Sequence, residues 1–138
     1  MNLEEFAAAV EALADRAEAD LARECAEVAA REYLAALHVT TPVLTGALRE
    51  SEQVFGVTGG GAVAIAEVGS DLVYARFRND GGTITSKGPW PLRNPATGQV
   101  FGRSVTQAGA HYIEKAEAWA EGPIQAACQA KLDEFLTL

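Results

Sequence analysis

Apolar residues recur every three or four positions from the start of the chain: Leu3, Phe6, Val10, Leu13, Ala17, Leu21, Cys25 and Val28. That spacing marks one buried face of a helix, with charged residues filling the rest. No Gly or Pro interrupts residues 3–37, and Ala, Glu, Leu and Arg dominate, all good helix formers. Asn2 is placed to cap this helix, with Glu5 three residues on as its capping-box partner. At 1.5 Å per residue the helix is roughly 50 Å long. A compact domain of this size is narrower than that, so part of the helix is expected to pack on another subunit. His38-Val39-Thr40-Thr41-Pro42 ends it, because a residue before proline is driven out of helical geometry.

The period then changes. Thr45-Gly46 reads as a turn, with Gly46 expected at positive φ, and Ala47-Leu48-Arg49-Glu50 as one short helical turn. Ser51–Thr58 reads as a strand, Gly59-Gly60-Gly61 as a hairpin tip, and residues 62–68 as a second strand. In that second strand Val63 and Ile65 share one face, and Ala64, Ala66 and Val68 the other. Gly69-Ser70-Asp71 is a second turn, and Leu72–Arg78 reads as a third strand or a helical turn, with a short turn leading into a strand favoured. Residues 79–104 hold Gly81, Gly82, Gly88, Pro89, Pro91, Pro95, Gly98 and Gly102. Punctuation of that density predicts a long irregular loop, and such loops are usually functional or mobile. Residues 100–106 return as a strand. Residues 108–136 are helical again, with a break or kink at Gly122-Pro123. Tyr112, Ile113, Ala116, Trp119 and Ala120 form one apolar face, and Ile124, Ala127, Cys128, Leu132, Phe135 and Leu136 another. The expected architecture is a single α+β domain over 1–138. A long N-terminal helix (1–38) and a kinked C-terminal helix pack on a small, mostly antiparallel sheet, and an extended loop or arm spans 79–104.

Composition sharpens the picture in two ways. The chain has 138 residues and is 49% hydrophobic, but much of that is alanine, which buries little area. A thin core of this kind leaves room for partners to complete the burial. No apolar run approaches the ~20 residues of a membrane span, and the charged start is unlike a signal peptide. Synthesis and residence inside a host cytoplasm follow as the expectation.

The formal net charge of −8 is unevenly spread. Glu4, Glu5, Glu11, Asp15, Glu18, Asp20, Glu24, Glu27 and Glu32 crowd the first helix against Arg16, Arg23 and Arg31. Between 76 and 103 the sign reverses: Arg76, Arg78, Lys87, Arg93 and Arg103 face Asp80 alone. An acidic whole argues against general nucleic-acid binding. The asymmetry leaves two readings: copies of the chain attract one another head to tail, or the basic loop faces DNA. Trp90, between Pro89 and Pro91 in that loop, either docks on a neighbour or packs on the chain's own sheet. Tryptophan and arginine are the residues enriched at interface hot spots.

Catalytic chemistry has little to stand on. His38 and His111 lie in no triad or metal spacing; His38 suits the dipole at a helix C-terminus. Gly59-Gly60-Gly61 lacks the Gly-Lys-Ser/Thr of a phosphate loop, and Asn79-Asp80-Gly81-Gly82 lacks the spaced acids of a calcium loop. Cys25 and Cys128 are far apart in sequence and match no zinc or redox motif; they read as free thiols, with a disulfide between them left open. No cofactor or metal is expected, and no enzyme.

Taken in order, these pieces resemble the small neck and tail-completion proteins of long-tailed phages. Members open with a long helix and continue with Pro-x-x-Thr-Gly-x-Leu-Arg-x-Ser, matched here by Pro42, Thr45, Gly46, Leu48, Arg49 and Ser51. A hairpin then leads to Val-Gly-Ser and Tyr-Ala, matched by Val68-Gly69-Ser70 and Tyr74-Ala75. The acidic-glycine turn of the family corresponds to Asn79-Asp80-Gly81-Gly82, and Tyr112–Ala116 to the start of its last helix. The resemblance implies a structural protein of the virion, without catalysis, forming a ring at the head–tail junction. A tail terminator ring capping the tail tube is the alternative station, and a nucleic-acid-binding module using residues 76–103 the alternative of another kind. The implied partners are further copies of itself, the connector or stopper, and the tail tube or terminator. Genomic DNA passing through the lumen is a further contact. The interface residues expected are Arg76, Arg78, Lys87, Trp90, Arg93 and Arg103.

Overall fold

A computed structural model describes residues 2–43, 46–94 and 97–137. Helix α1 (Leu3–Arg16), a π-helical stretch (Ala17–Leu21) and α2 (Ala22–Thr40) follow one another with helical backbone at both joins. The capping box forms: Glu5 N donates to the Asn2 side chain at 2.8 Å, and Asn2 N to Glu5 Oε2 at 3.0 Å. The helix runs to Thr40, three residues past the expected end. Thr41, before Pro42, is extended, and its amide still reaches Leu37 O at 2.8 Å. From 3 to 40 the rise amounts to about 57 Å.

Helix α2 packs against both α5 (Tyr112–Phe135) and the hairpin of β1 (Gln53–Gly60) and β2 (Val63–Gly69). The alternation in β2 resolves as read: Ala64, Ala66 and Val68 turn inward, while Val63 and Ile65 stay exposed. The inward face meets Ala26, Ala29 and Ala30 of α2 across a shallow crevice. The antiparallel register slips between Val54 and Gly56, a bulge at Phe55. The core is small: Ala36, Leu37, Leu48, Ala75, Tyr112, Ala116 and Ala120, with Tyr33, Val68, Leu72, Ile113 and Ile124 packed around them.

Gly46 stands at φ +86° ahead of α3 (Ala47–Ser51), the geometry expected of it. Thr45, beside it in the motif, lies outside the described residues.

Four readings are corrected. The favoured strand within 72–78 does not form; Ala75–Asp80 form helix α4, the other reading of this segment, so Arg76 and Arg78 project from a helix. Val73, which favoured a strand, is fully exposed and outside it, while Ala75 and Asn79 anchor one face of α4 in the core. The segment 79–104 is built rather than irregular. Strand β3 (Gly81–Thr85) pairs antiparallel with β6 (Ser104–Ala108), and β4 (Leu92–Arg93) with β5 (Val100–Gly102). The sheet is therefore three two-stranded pieces rather than one. Finally, Pro123 does not end the last helix; α5 is continuous through it. Proline removes one amide and frees the carbonyl four residues back. Trp119, Gly122 and Pro123 all lie on the exposed side, where water can satisfy that carbonyl, while Ala116 and Ala120 before it and Ile124 after it hold the helix to the body. Trp119, placed by its spacing on one face with Tyr112, Ala116 and Ala120, is 60% exposed where those three are buried.

Candidate assembly interface

The strand pairs β3–β6 and β4–β5 form an arm beside Pro42, Val43, Gly46, Ala47, Leu48 and α4. Between them lies a groove of about 810 Å³. Pro42, Val43, Leu48 and Tyr74 line it from the body, and Ile84, Leu92, Phe101 and Val105 from the arm. Arg78 and Arg93 are the charged residues in its walls. The groove thus collects four positions of the sequence motifs, Pro42, Gly46, Leu48 and Tyr74, and two of the six residues expected at an interface. Ala75 and Arg49 are placed otherwise. Ala75 is core, its carbonyl accepting from Tyr112 Oη at 3.2 Å, and Arg49 is exposed on α3.

The other basic positions stand apart. Arg76 leans on Asp80 at 3.4 Å, both exposed. Arg103 Nη2 donates to Gly88 O at 3.0 Å, and Ser86 Oγ to Trp90 O at 2.6 Å, which folds the Ser86–Trp90 turn under Trp90. Trp90 itself is 79% exposed and Lys87 is exposed, so Trp90 does not pack on the chain's own sheet. The six residues are two clusters: Arg78 and Arg93 in the groove, and Lys87, Trp90 and Arg103 at the turn, with Arg76 outside both.

The apolar face expected to be buried is open along α1, which has no buried residue: Leu3 is 82% exposed, and Phe6 and Val10 remain open. Its acids are exposed as well, whereas farther along Arg23 pairs with Glu27 at 3.5 Å and Lys131 with Glu24 at 3.8 Å. A second open apolar surface is the outer side of the hairpin, with Phe55, Val63 and Ile65.

Sequence reasoning missed two polar centres. Asn79, read as part of a turn, is 4% exposed and holds α4 against the start of α5. Its Oδ1 accepts from Ile113 N at 2.9 Å, and its Nδ2 donates to Glu114 Oε1 at 3.0 Å. That bond, first among the causes, draws the Glu114 carboxyl below its ordinary range. Gly109 makes the approach possible, since a Cβ there would sit 2.4 Å from Asn79 O. The second centre is Glu52, 5% exposed at the end of α3, bonded to the Thr41 hydroxyl. Burial pushes its carboxyl up, against the opposing pull of Thr41, His38 and Arg49. Thr41 also reaches Leu37 O at 2.6 Å, and its single hydrogen cannot serve both acceptors. His38 Nε2 stands 3.8 Å from Glu52 Oε2, within ion-pair range but too far for a hydrogen bond. Burial likewise raises the Tyr33 hydroxyl to about 12, helped by Glu117, Glu114 and Glu52.

Among the described residues no cluster of His, Cys, Asp or Glu is arranged to hold a metal, and no helix is long and apolar enough to cross a membrane. Cys25 and Cys128 are free thiols brought together from distant parts of the chain, with Cys128 Sγ 3.7 Å from Cys25 O.

Residues 4–81 match the model of the family described as "Bacteriophage HK97-gp10, putative tail-component". The chain belongs to this family. The match covers more than half of the chain, from α1 through the Pro42–Arg49 motif and the hairpin to the end of α4, and it stops where the arm begins. No curated protein and no solved structure matches the chain. As a phage tail component the protein has a structural role in the virion, and its contacts are with other phage structural proteins.

Proposed function

We propose that the protein forms a closed homo-oligomeric ring at the head–tail junction, as a single domain per copy, and joins the phage head or its connector to the tail. The observation that carries this reading is α1. This helix of 14 residues has no buried side chain, and the apolar stripe of Leu3, Phe6 and Val10 stays open although Arg16 at its end lies over the Phe135 ring. Exposed apolar patches of this kind mark association surfaces. A ring needs two different surfaces per subunit that meet head to tail and close by rotation. The acidic helix at one end and the groove with Arg78 and Arg93 at the other are such a pair. The exposed Trp90 turn, with Lys87 and Arg103, is available to a neighbour above or below. The acidic net charge leaves little support for a free nucleic-acid-binding module; basic residues of the arm would meet DNA only where a ring surrounds it.

Removal of the gene product from the producing phage tests the station. For a joining protein, filled heads and finished tails of normal length accumulate unjoined. Tails of uncontrolled length would instead assign the chain to the tail terminator. Normal infectious particles would overturn the proposal.

A further inference from the structure

We propose that α1 of one copy is the occupant of the groove on the next. The inference rests on the ring reading and deepens it by naming the two surfaces that meet. Leu3, Phe6 and Val10 form an open stripe on a helix about 21 Å long. The groove, about 810 Å³, is walled by Leu48, Ile84, Leu92, Phe101 and Val105, at the upper end of the range for pockets that enclose a whole ligand.

Three observations select this occupant. The first is reach. The groove begins at Pro42, just past the C-terminal end of the long helix, while Val10 lies near its N-terminal end. Thirty helical residues separate Val10 from Thr40, about 45 Å of rise, so the chain cannot fold its own α1 into its own groove while that helix is intact. The second is charge. Glu4, Glu5, Glu11 and Asp15 surround the stripe on α1, and Arg78 and Arg93 stand in the groove walls. Opposite charges flanking an apolar seam fix orientation and exclude wrong pairings. The third is the poor fit of the competing surface. The outer face of the hairpin also exposes Phe55, Val63 and Ile65, but β1 and β2 carry no Lys or Arg, and their one charge is Glu67. An acidic helix gains nothing there. The two complementary surfaces therefore sit at opposite ends of one subunit, which is the disposition a heterologous contact requires.

The test places the photoreactive residue p-benzoylphenylalanine at Phe6, which is half-exposed and not part of the core. Particles are assembled from an equal mixture of isotopically heavy and light full-length chains, irradiated, and digested for mass spectrometry. The expected result is heavy–light hybrid peptides joining position 6 to residues 42–48, 84–93 or 101–105. Hybrid peptides to the hairpin, links to a different phage protein, or no links between copies in particles holding several copies would each overturn the inference and leave the ring standing. A single copy per particle would overturn the ring itself.

Discussion

Replacing Asn79 with alanine strikes the joint between α4 and α5. The N-cap of α5 is His111, in left-handed geometry with no side-chain bond to the helix, so the capping bond comes from a residue 34 positions upstream. Loss of a capping side chain costs about 1 kcal/mol, within a range of about 0.5–2. Ile113 is half-buried, and stranding its amide adds about 1 kcal/mol more. The bonds to Asp80 and Glu114 add little, because both acids are exposed and regain water. The total is about 2 kcal/mol. With a urea slope of about 1.5 kcal/mol per molar, the unfolding midpoint falls by about 1.3 M. Acid supplies a second reading. Glu114 is held low in the folded state by Asn79, so its contribution is present above the ordinary carboxylate range and is lost as pH falls through the folded value. The gap between wild type and Asn79→Ala should therefore narrow below about pH 4.3. A midpoint shift under about 0.3 M would refute the capping argument, and a gap that does not change with pH would refute only the small part assigned to Glu114.

Gly46→Val should destabilise by about 1–3 kcal/mol in urea unfolding, since φ is +86° and a Cβ would meet nothing closer than Glu50 Oε1 at 3.7 Å, leaving backbone strain as the cost; unchanged stability would remove that account. Glu52 has a raised carboxyl, so its favourable state is present below the ordinary range and lost as pH rises through the folded value. Glu52→Gln should accordingly gain thermal midpoint relative to wild type between acidic and neutral pH, and a parallel pair of curves would contradict this. Treatment with a mild thiol oxidant such as diamide should join Cys25 to Cys128 within one chain, read as loss of two hydrogens by mass and loss of thiol labelling; Cys128→Ser should abolish the loss of two hydrogens, and full labelling of oxidised wild type would show the thiols do not meet. Trp90→Ala should leave the isolated fold intact, because the side chain is 79% exposed, yet lower the yield of assembled particles more than Lys87→Ala does; equal yields would separate Trp90 from assembly.

The helices and the first hairpin were legible because each repeats a strong period over many residues. The stripe from Leu3 to Val28 follows a helical period and Val63 to Val68 a strand period, and the glycine tip and Asn2–Glu5 box mark their ends. The π-helical stretch at 17–21 left no mark, since it is built from ordinary helix formers. The arm was illegible for a different reason. Its strands are two to five residues long and mostly exposed, so no burial pattern is written into them; pairing across the chain, such as Ile84 with Val105, holds them instead. Helix α4 was hidden by Val73 and Tyr74, whose strand preference is overridden by the anchoring of Ala75 and Asn79 in the core. The groove could not be read at all, because it joins residues 42–48 to residues more than thirty positions away. The motif Pro42–Arg49 pointed to one of its walls without saying what it faced.

Cryo-electron microscopy of the intact particle at the head–tail junction tests the central claim most directly. The account predicts a closed ring of several copies between the head vertex and the tail tube, with the long helix of each copy ending against its neighbour. Density for this chain only along the tail tube or at its distal tip, or one copy per particle, would contradict it.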